Sequence, residues 1–236
     1  MNIDISIYGH MTIDTIHDKE KIYEFGGIAN VWRVFKEIDF DATVSLEPVH
    51  YGEAIIYIDR DTSKRYSDAV LNMKEFKPTI AESSINHILY INEIEKIDFL
   101  DELTGFNVAD TCKGKDLDFS RLENINLLLG SDEDFDDITK VSKNFDGIFV
   151  LHNSAGSEIG YKENIFKYEM DSSLHLKNIN VLGAGDIFAA YLIKEIYEEK
   201  IYQYKNNLDM YKKIIEIIEN VHKSTSIYLK EKNIKV

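Results

Sequence analysis

Residues 183–192 read GAGDIFAAYL: two glycines and an alanine lead through Asp186 into an apolar run. The apolar run predicts a buried helix, and the glycines leave the backbone of its first turn bare. Because the first N–H groups of a helix lack partners and the helix dipole is positive there, this start predicts an anion-binding site. A carboxylate beside that anion suits a general base for phosphoryl transfer to a hydroxyl. The simpler interpretation is a glycine turn followed by an Asp in the first helical turn.

Short apolar runs alternate with longer amphipathic ones over the rest of the chain. Strands are predicted at residues 3–8, 43–46, 54–59, 87–91, 106–109, 125–129 and 147–151. Helices are predicted at residues 28–38, 94–103, 133–141, 184–197 and 208–229. This alternation predicts a single α/β domain, residues 1–236, with a mostly parallel sheet covered on both faces. Residues 47–67 are strand-rich, which fits either an inserted sheet over a site or an ordinary edge hairpin.

The composition narrows the class of partner. The 236 residues include 42 acidic and 27 basic side chains, a formal net charge of −15. We expect no nucleic-acid partner, because neutralising phosphates needs clustered Lys and Arg. Cys112 is the single cysteine, so an internal disulfide cannot form. With no signal-peptide pattern and no apolar segment long enough for a bilayer, we expect a cytoplasmic protein without a membrane partner.

Two further segments are candidates for a ligand pocket. Gly26 and Gly27 precede the first predicted helix, and their bare backbone could approach a polyol closely, with the amide of Asn30 both donating and accepting hydrogen bonds. Asp14 follows the first strand, and ligands bind parallel sheets at the carboxyl ends of strands. A carboxylate there can accept hydrogen bonds from two neighbouring hydroxyls. A glycine turn before a helix and a solvated loop Asp are the simpler interpretations.

Other phosphate-binding motifs are missing from the sequence. There is no G-x-x-x-x-G-K-[ST], which excludes a Walker-type nucleotidase. No G-x-G-x-x-G follows a strand, so a dinucleotide fold is unsupported. The H-R-D and D-F-G motifs of protein kinases are absent as well.

In this order, Asp14, Gly26-Gly27 with Asn30, and Gly183 to Asp186 resemble the motifs of the PfkB, or ribokinase, family. The resemblance spans nearly the whole chain. It implies a ribokinase-like three-layer α/β/α sandwich with a mostly parallel central sheet. It also implies a small or reduced β lid, with strands within residues 15–24 and 52–67, because the chain is shorter than is usual for the family.

The resemblance also implies roles for individual residues. Asp186 is the implied catalytic base, beside an anion hole formed by Gly183, Ala184 and Gly185. The implied substrate-binding residues are Asp14, Gly26, Gly27 and Asn30.

ATP and Mg²⁺ are the cofactors that the resemblance implies. Asn153, Gly156 and Asn220 are the implied nucleotide-side positions. Asp134 is the implied indirect magnesium partner, within the acidic run 132–137. The simpler interpretation of this run is that Ser131 caps a helix whose positive end favours the acids.

The leading hypothesis is an ATP-dependent kinase that phosphorylates a hydroxyl of a small sugar, sugar derivative or nucleoside. The alternative is a non-catalytic sugar- or nucleotide-binding relative, a sensor or subunit, favoured by the short lid and by Asn180 and Ser131 at positions where the family has other residues. A different α/β enzyme using the same anion site is a third hypothesis. Since phosphoryl transfer needs water excluded, the short lid predicts a homodimer in which a second copy covers the site through residues 53–67.

Overall fold

The computed structural model describes residues 3–59, 64–112, 116–132, 134–135, 138–176 and 182–234. These ranges contain the strands β1 Ile3–His17, β2 Lys21–Gly27, β3 Val44–Asp59, β4 Lys64–Glu75, β5 Ser83–Ile88, β6 Phe106–Asp110, β7 Leu127–Ser131, β8 Ile148–Asn153, β9 Gly156–Tyr161 and β10 Asn164–Glu169. They also contain the helices α1 Ile28–Glu37, α2 Ile138–Asn144, α3 Ala184–Glu198 and α4 Asn207–Ile234. Short 3-10 helices lie at residues 91–93, 98–102, 119–121, 172–174 and 201–203.

The strands form one mixed sheet in the order β10-β9-β8-β7-β6-β5-β1-β3-β4, and β2 pairs with β1. Its centre is parallel, from β8 through β7, β6, β5 and β1 to β3. At one end β9 and β10 turn back as antiparallel strands. The carboxyl ends of the parallel strands therefore meet at one edge, where α/β folds place their ligands.

Beyond that edge, β1 and β3 run on out of the central sheet. Residues 11–17 of β1 pair with β2, and residues 50–59 of β3 pair with β4. We call this four-stranded part, residues 11–27 and 50–75, the β extension. A register shift lies between Gly9 and His10, opposite Pro48, so the strands bend where proline cannot donate a ladder hydrogen bond.

Two apolar clusters cover the two faces of the sheet. On one face α1, α3 and α4 pack on the strands, and the buried residues include Val31, Phe188 and Ile214. The other face is covered by α2 and by the 3-10 segments, with Phe99, Leu100 and Val141 in its core. The prediction of a mostly parallel α/β sheet covered on both faces is confirmed.

Several predicted boundaries were wrong. Residues 94–103 are not an α-helix; the segment holds the 3-10 helix at 98–102, because apolar residues three apart also suit that tighter turn. The two strands predicted at 43–46 and 54–59 are one strand that continues through Pro48. The strand predicted at 87–91 ends at Ile88, and the helix predicted at 133–141 begins at Ile138. β9 and β10 were not predicted; β10 is exposed along most of its length, including Ile165 and Phe166, so it has no alternation of buried apolar and exposed polar residues.

Candidate functional site

The amino end of α3 is open. Gly183 precedes the helix in the left-handed conformation (φ 75°), and no side chain of the described residues caps this end. A side-chain carbon at position 185 would lie 3.9 Å from its nearest neighbour, His152 Cε1, and one at position 183 would lie 3.7 Å from Asp186 Oδ2. Packing within the described residues therefore leaves space around these glycines. The amides of Ala184 and Gly185, in the first turn, have no partner within the helix.

Asp186 is buried directly beside this open helix start, with 3% of its surface exposed. Its Oδ2 accepts a hydrogen bond from Asn30 Nδ2 at 3.0 Å. Its Oδ1 accepts another from the hydroxyl of Tyr90, also at 3.0 Å. The carboxylate is thus held by α1 on one side and by the end of β5 on the other.

Asp14 lies across the same pocket, on the inner face of the β extension. Thr12 Oγ1 donates to its Oδ1 at 2.6 Å. Burial raises the pKa of Asp14, with Glu24 adding to the rise, while Thr12 and Arg33 lower it. A partly desolvated carboxylate of this kind is stabilised by further hydrogen-bond donors, which the hydroxyls of a ligand can supply.

The two glycines before α1 have clear packing reasons. A side-chain carbon on Gly26 would lie 2.0 Å from Asp14 Oδ2. Gly27 has φ 61°, and a side-chain carbon there would lie 2.0 Å from the carbonyl oxygen of His10. Gly26 and Gly27 let β2 lie close beside β1 and leave room for the Asp14 carboxylate.

Four of the predicted catalytic and substrate residues line one pocket, whereas Gly26, Gly27, Ala184 and Gly185 are not part of its lining. Its lining includes Asp14, Asn30, Gly183 and Asp186. Arg33 also lines it, and its guanidinium is paired with Glu24 at 2.7 Å and donates to the carbonyl of Phe25. These lining residues come from three separate parts of the chain: β1, α1 and the start of α3.

A second acidic group lies close to Asp186. Asp110 ends β6 and is buried; burial and the charges of Asp186 and Asp134 raise its pKa well above the ordinary value. Asp134 Oδ2 accepts hydrogen bonds from the Ser131 backbone N–H at 2.7 Å, from Ser131 Oγ at 3.0 Å and from Thr111 Oγ1 at 3.2 Å. Ser131 does not cap α2, which begins seven residues later, so that interpretation was wrong. Asp136 and Asp137 of the acidic run lie outside the described residues.

Among the described residues, no group of three or more His, Cys, Asp or Glu side chains is arranged to hold a metal ion. Asp134 thus stands as a single carboxylate already held by Ser131 and Thr111. Asn180, which occupies the position of the family's usual acid, is outside the described residues.

Two of the three predicted nucleotide-side residues, Asn153 and Gly156, lie at the β8–β9 turn. Asn153 Oδ1 accepts from the backbone N–H groups of Ala155 at 2.8 Å and Gly156 at 3.1 Å. Gly156 has φ 151°, and a side-chain carbon there would lie 1.9 Å from the carbonyl oxygen of Tyr168. Asn220 is exposed on α4, two residues before the buried His222. His222 and Ser157 Oγ are 2.6 Å apart, which joins α4 to β9.

Two residues near the pocket were not predicted as site residues. Tyr90 contacts the carboxylate of Asp186 but belongs to no motif. His152 stacks on Phe188 with ring centroids 4.2 Å apart and faces Gly185; burial, with His222, lowers its pKa to about 3. The only sequence signal for either is that each lies near the carboxyl end of a predicted strand.

No helix of the described residues has the length and apolarity to cross a bilayer. No protein-family profile and no curated protein matches the sequence.

Solved structures do match. Ribokinase from Giardia lamblia aligns with a TM-score of 0.68 at 12% identity, over 97% of this chain and 93% of that one. A pyrophosphate-dependent kinase in the ribokinase family, solved as a sulfate complex, aligns with a TM-score of 0.65 at 13% identity, over 96% and 95%. Fructokinase from Vibrio cholerae O395, in its apo form, aligns with a TM-score of 0.61 at 12% identity, over 96% and 99%. The chain therefore has the ribokinase-like fold that the order of its motifs predicted.

Proposed function

We propose that this protein is a kinase that transfers a phosphoryl group from ATP to a hydroxyl of a small polyhydroxylated substrate, a sugar, sugar derivative or nucleoside. One observation carries the proposal: the buried carboxylate of Asp186 lies beside the bare amino end of α3, in a pocket shared with Asp14 and Asn30. The neighbours in fold include a ribokinase, a fructokinase and a pyrophosphate-dependent kinase complexed with myo-inositol, all of which act on or bind polyols.

The mechanism follows from the order of groups across the pocket. Asp14 accepts hydrogen bonds from substrate hydroxyls, and Asn30 reaches both the substrate and Asp186. The amides at the start of α3 and the positive end of its dipole stabilise the negative charge on the transferred phosphoryl group, which is the main source of catalysis in such reactions. Asp186 then takes the proton from the attacking hydroxyl.

Magnesium would enter with the phosphates of the donor, since Mg²⁺ keeps phosphate oxygens and waters as ligands. A cation there would offset the mutual repulsion of Asp110, Asp134 and Asp186 that raises the pKa of Asp110. Asp134 would contact such an ion through water.

Pyrophosphate is the second candidate donor. One neighbour in fold is a pyrophosphate-dependent kinase solved as a sulfate complex, and another structure is a pyrophosphate-dependent kinase in complex with a pyrophosphate analogue. In this chain Asn153 and Gly156 are occupied in closing the β8–β9 turn, and Asn220 is exposed on α4. A phosphoryl donor that is bound mainly by the start of α3 would need fewer contacts with the β8–β9 turn and with α4.

We also propose that a second copy of the chain packs on the outer face of the β extension. Four large apolar side chains on that face are 50–64% exposed: Ile13, Tyr23, Phe25 and Tyr57. Phe25 and Ile13 are directly paired across β2 and β1. Lys21 and Glu53, both exposed, lie on the same face, so a two-fold axis could bring opposite charges together. Such a copy would stabilise the strands that cover Asp14.

The test is the release of ADP from MgATP, and of phosphate from pyrophosphate, against a panel of sugars, sugar phosphates, cyclitols and nucleosides. We expect substrate-dependent turnover that falls at least a thousandfold in Asp186→Asn, because the general base is lost. Asp118→Asn is the matched control, because Asp118 is an exposed carboxylate distant from Asp186 in the sequence. This variant should keep its turnover.

Absence of turnover with both donors across the panel, together with saturable binding of a sugar or nucleotide by calorimetry, would favour the non-catalytic binding protein instead. Turnover that survives Asp186→Asn would remove Asp186 from the mechanism.

A further inference from the structure

Both oxygens of the Asp186 carboxylate are engaged, and one partner comes from outside every motif. Asn30 Nδ2 donates to Oδ2, and the Tyr90 hydroxyl donates to Oδ1, each at 3.0 Å. Tyr90 lies 96 residues before Asp186, immediately after β5. A phenol donating to a carboxylate favours the ionised form of that carboxylate.

The backbone at Tyr90 adopts a conformation that few residues with side chains take. Its φ of 56° and ψ of 51° lie in the left-handed region, which is unfavourable for a bulky residue. The turn is held on both sides: Leu89 N–H donates to the Tyr8 carbonyl, and Glu93 N–H donates to the Tyr90 carbonyl. The partly buried ring packs against the core under α1 and α3. The fold thus holds the Tyr90 hydroxyl against the Asp186 carboxylate, although the left-handed backbone conformation of Tyr90 costs conformational energy.

The surroundings of Asp186 make such a donor useful. The charge of Asp186 raises the pKa of Asp110, at the end of β6, so the two carboxylates lie close together. Like charges at short range oppose ionisation. Among the described residues, the other titratable or charged groups around the pocket and the Asp110 cluster include Asp14, Glu24, Arg33, Tyr228, Lys232, Asp134, Cys112, Glu93 and His152. A general base has to be ionised before the substrate hydroxyl arrives, and Asn30 and Tyr90 are the donors that support this form.

We propose that Tyr90 is a positioning residue for the reaction: its hydroxyl keeps Asp186 ionised and holds the carboxylate toward the open start of α3. This rests on the proposed function of Asp186 as a base. This role of Tyr90 makes the end of β5 part of the site. Neither the motif at the start of α3 nor the predicted substrate residues include that segment.

The first test is kinetic. In Tyr90→Phe we expect kcat to fall roughly ten- to a hundredfold with KM nearly unchanged, since one hydrogen bond to a charged group is lost. The acidic limb of the kcat/KM profile should move to higher pH by about one unit, because Asp186 then protonates more easily. Tyr211→Phe removes a hydroxyl from a buried ring on α4 and serves as the control; neither its kcat nor its pH profile should move.

The second test does not need turnover. Carbon-13 NMR of the Asp carboxyl groups, with the Asp186 signal assigned by its loss in Asp186→Asn, follows the titration directly. We expect Asp186 to titrate at higher pH in Tyr90→Phe than in the wild type and in Tyr211→Phe. An unchanged titration, or an active Tyr90→Phe with the wild-type pH profile, overturns the role of Tyr90. If the wild-type protein shows no turnover, the kinase proposal is contradicted. The NMR titration still decides whether Tyr90 keeps Asp186 ionised.

Discussion

Glycines in this protein serve two different purposes. At Gly26, Gly27 and Gly156, a side-chain carbon would lie within about 2.0 Å of another atom of the protein, so packing itself demands glycine. At Gly185, in the first turn of α3, the nearest atom would be 3.9 Å away. A glycine inside a helix costs roughly 0.5–1 kcal/mol relative to alanine, and here no contact within the described residues offsets that cost. We propose that the space beside Gly185 serves a ligand.

We therefore expect Gly185→Ala to separate stability from activity. The free energy of unfolding should stay the same or rise by about 0.5–1 kcal/mol, because alanine fits the helix and restricts the unfolded chain. Turnover should fall roughly tenfold or more, since the methyl group intrudes on the bound phosphoryl group. Urea unfolding and the donor assay measure the two effects.

Gly156→Ala is the matched control for that experiment. Its side-chain carbon would lie 1.9 Å from the Tyr168 carbonyl, so we expect a clear loss of stability at this position. A Gly185→Ala variant that is destabilised like Gly156→Ala, or that keeps full turnover, would contradict the assignment of Gly185 to a ligand site.

The two faces of the β extension differ: one lines the pocket, and the other is exposed. Alternate residues of β1 point to opposite faces, so Asp14 and Ile16 face the pocket while Ile13 faces outward. Its outer side carries four exposed apolar side chains, Tyr23 and Phe25 on the edge strand β2, Ile13 on β1 and Tyr57 on β3. A monomer rarely exposes such a patch on a sheet without a partner for it.

Phe25→Asp is expected to weaken self-association through this face. If the wild type sediments as a dimer at micromolar concentration, the variant should sediment as a monomer, because a buried carboxylate at the interface has no partner. Phe166→Asp changes an exposed phenylalanine on the opposite edge strand, β10, and should stay dimeric. A wild-type monomer at that concentration, or equal effects of the two changes, would argue against the second copy.

For the whole molecule, pH acts on stability through buried histidines. His87 is fully buried in β5, and neither ring nitrogen has a hydrogen-bond partner among the described residues. Burial lowers the pKa of His87 to about 3, and that of His222 to about 4. The unfolded chain binds protons on these rings below about pH 6.5 while the folded chain does not, so stability falls as the pH falls below about 6.5. The pKa of Asp110 is raised in the folded chain, so Asp110 has the opposite effect: its contribution to stability increases as the pH falls.

His87→Leu should remove one part of this pH dependence. Between pH 7 and pH 5, the wild type should lose about 2 kcal/mol more stability than the variant, which follows from linkage with a folded pKa near 3. Urea unfolding at several pH values measures the difference, and the packing effect of leucine cancels because it is the same at each pH. His175→Leu, at an exposed histidine, is the control. Parallel pH profiles for wild type and His87→Leu would contradict the prediction.

The amino-acid sequence by itself determined the parts of this protein that depend on neighbouring residues. The alternation of strands and helices, the open glycine start of α3 and the positions of Asn30 and Asp186 in the first turns of their helices all arise from local patterns. Asp14 was expected after the first strand, but it lies within β1, because pairing with β2 and β3 extends that strand to His17. Local geometry sets hydrophobic periodicity and helix capping, so these features can be inferred without the fold. The order of the three motifs along the chain then predicted the ribokinase-like fold.

Only the tertiary structure decided which residues meet. Asn30 and Asp186 are 156 positions apart, and Tyr90 and Asp186 are 96 apart, yet each pair shares a hydrogen bond. No local pattern encodes such contacts, because they depend on strand order and on the left-handed turn after β5. The joining of two predicted strands into β3, and the outward apolar face of the β extension, likewise follow from pairing between distant segments. Strand pairing is a property of the folded sheet, since residues far apart along the chain supply its contacts.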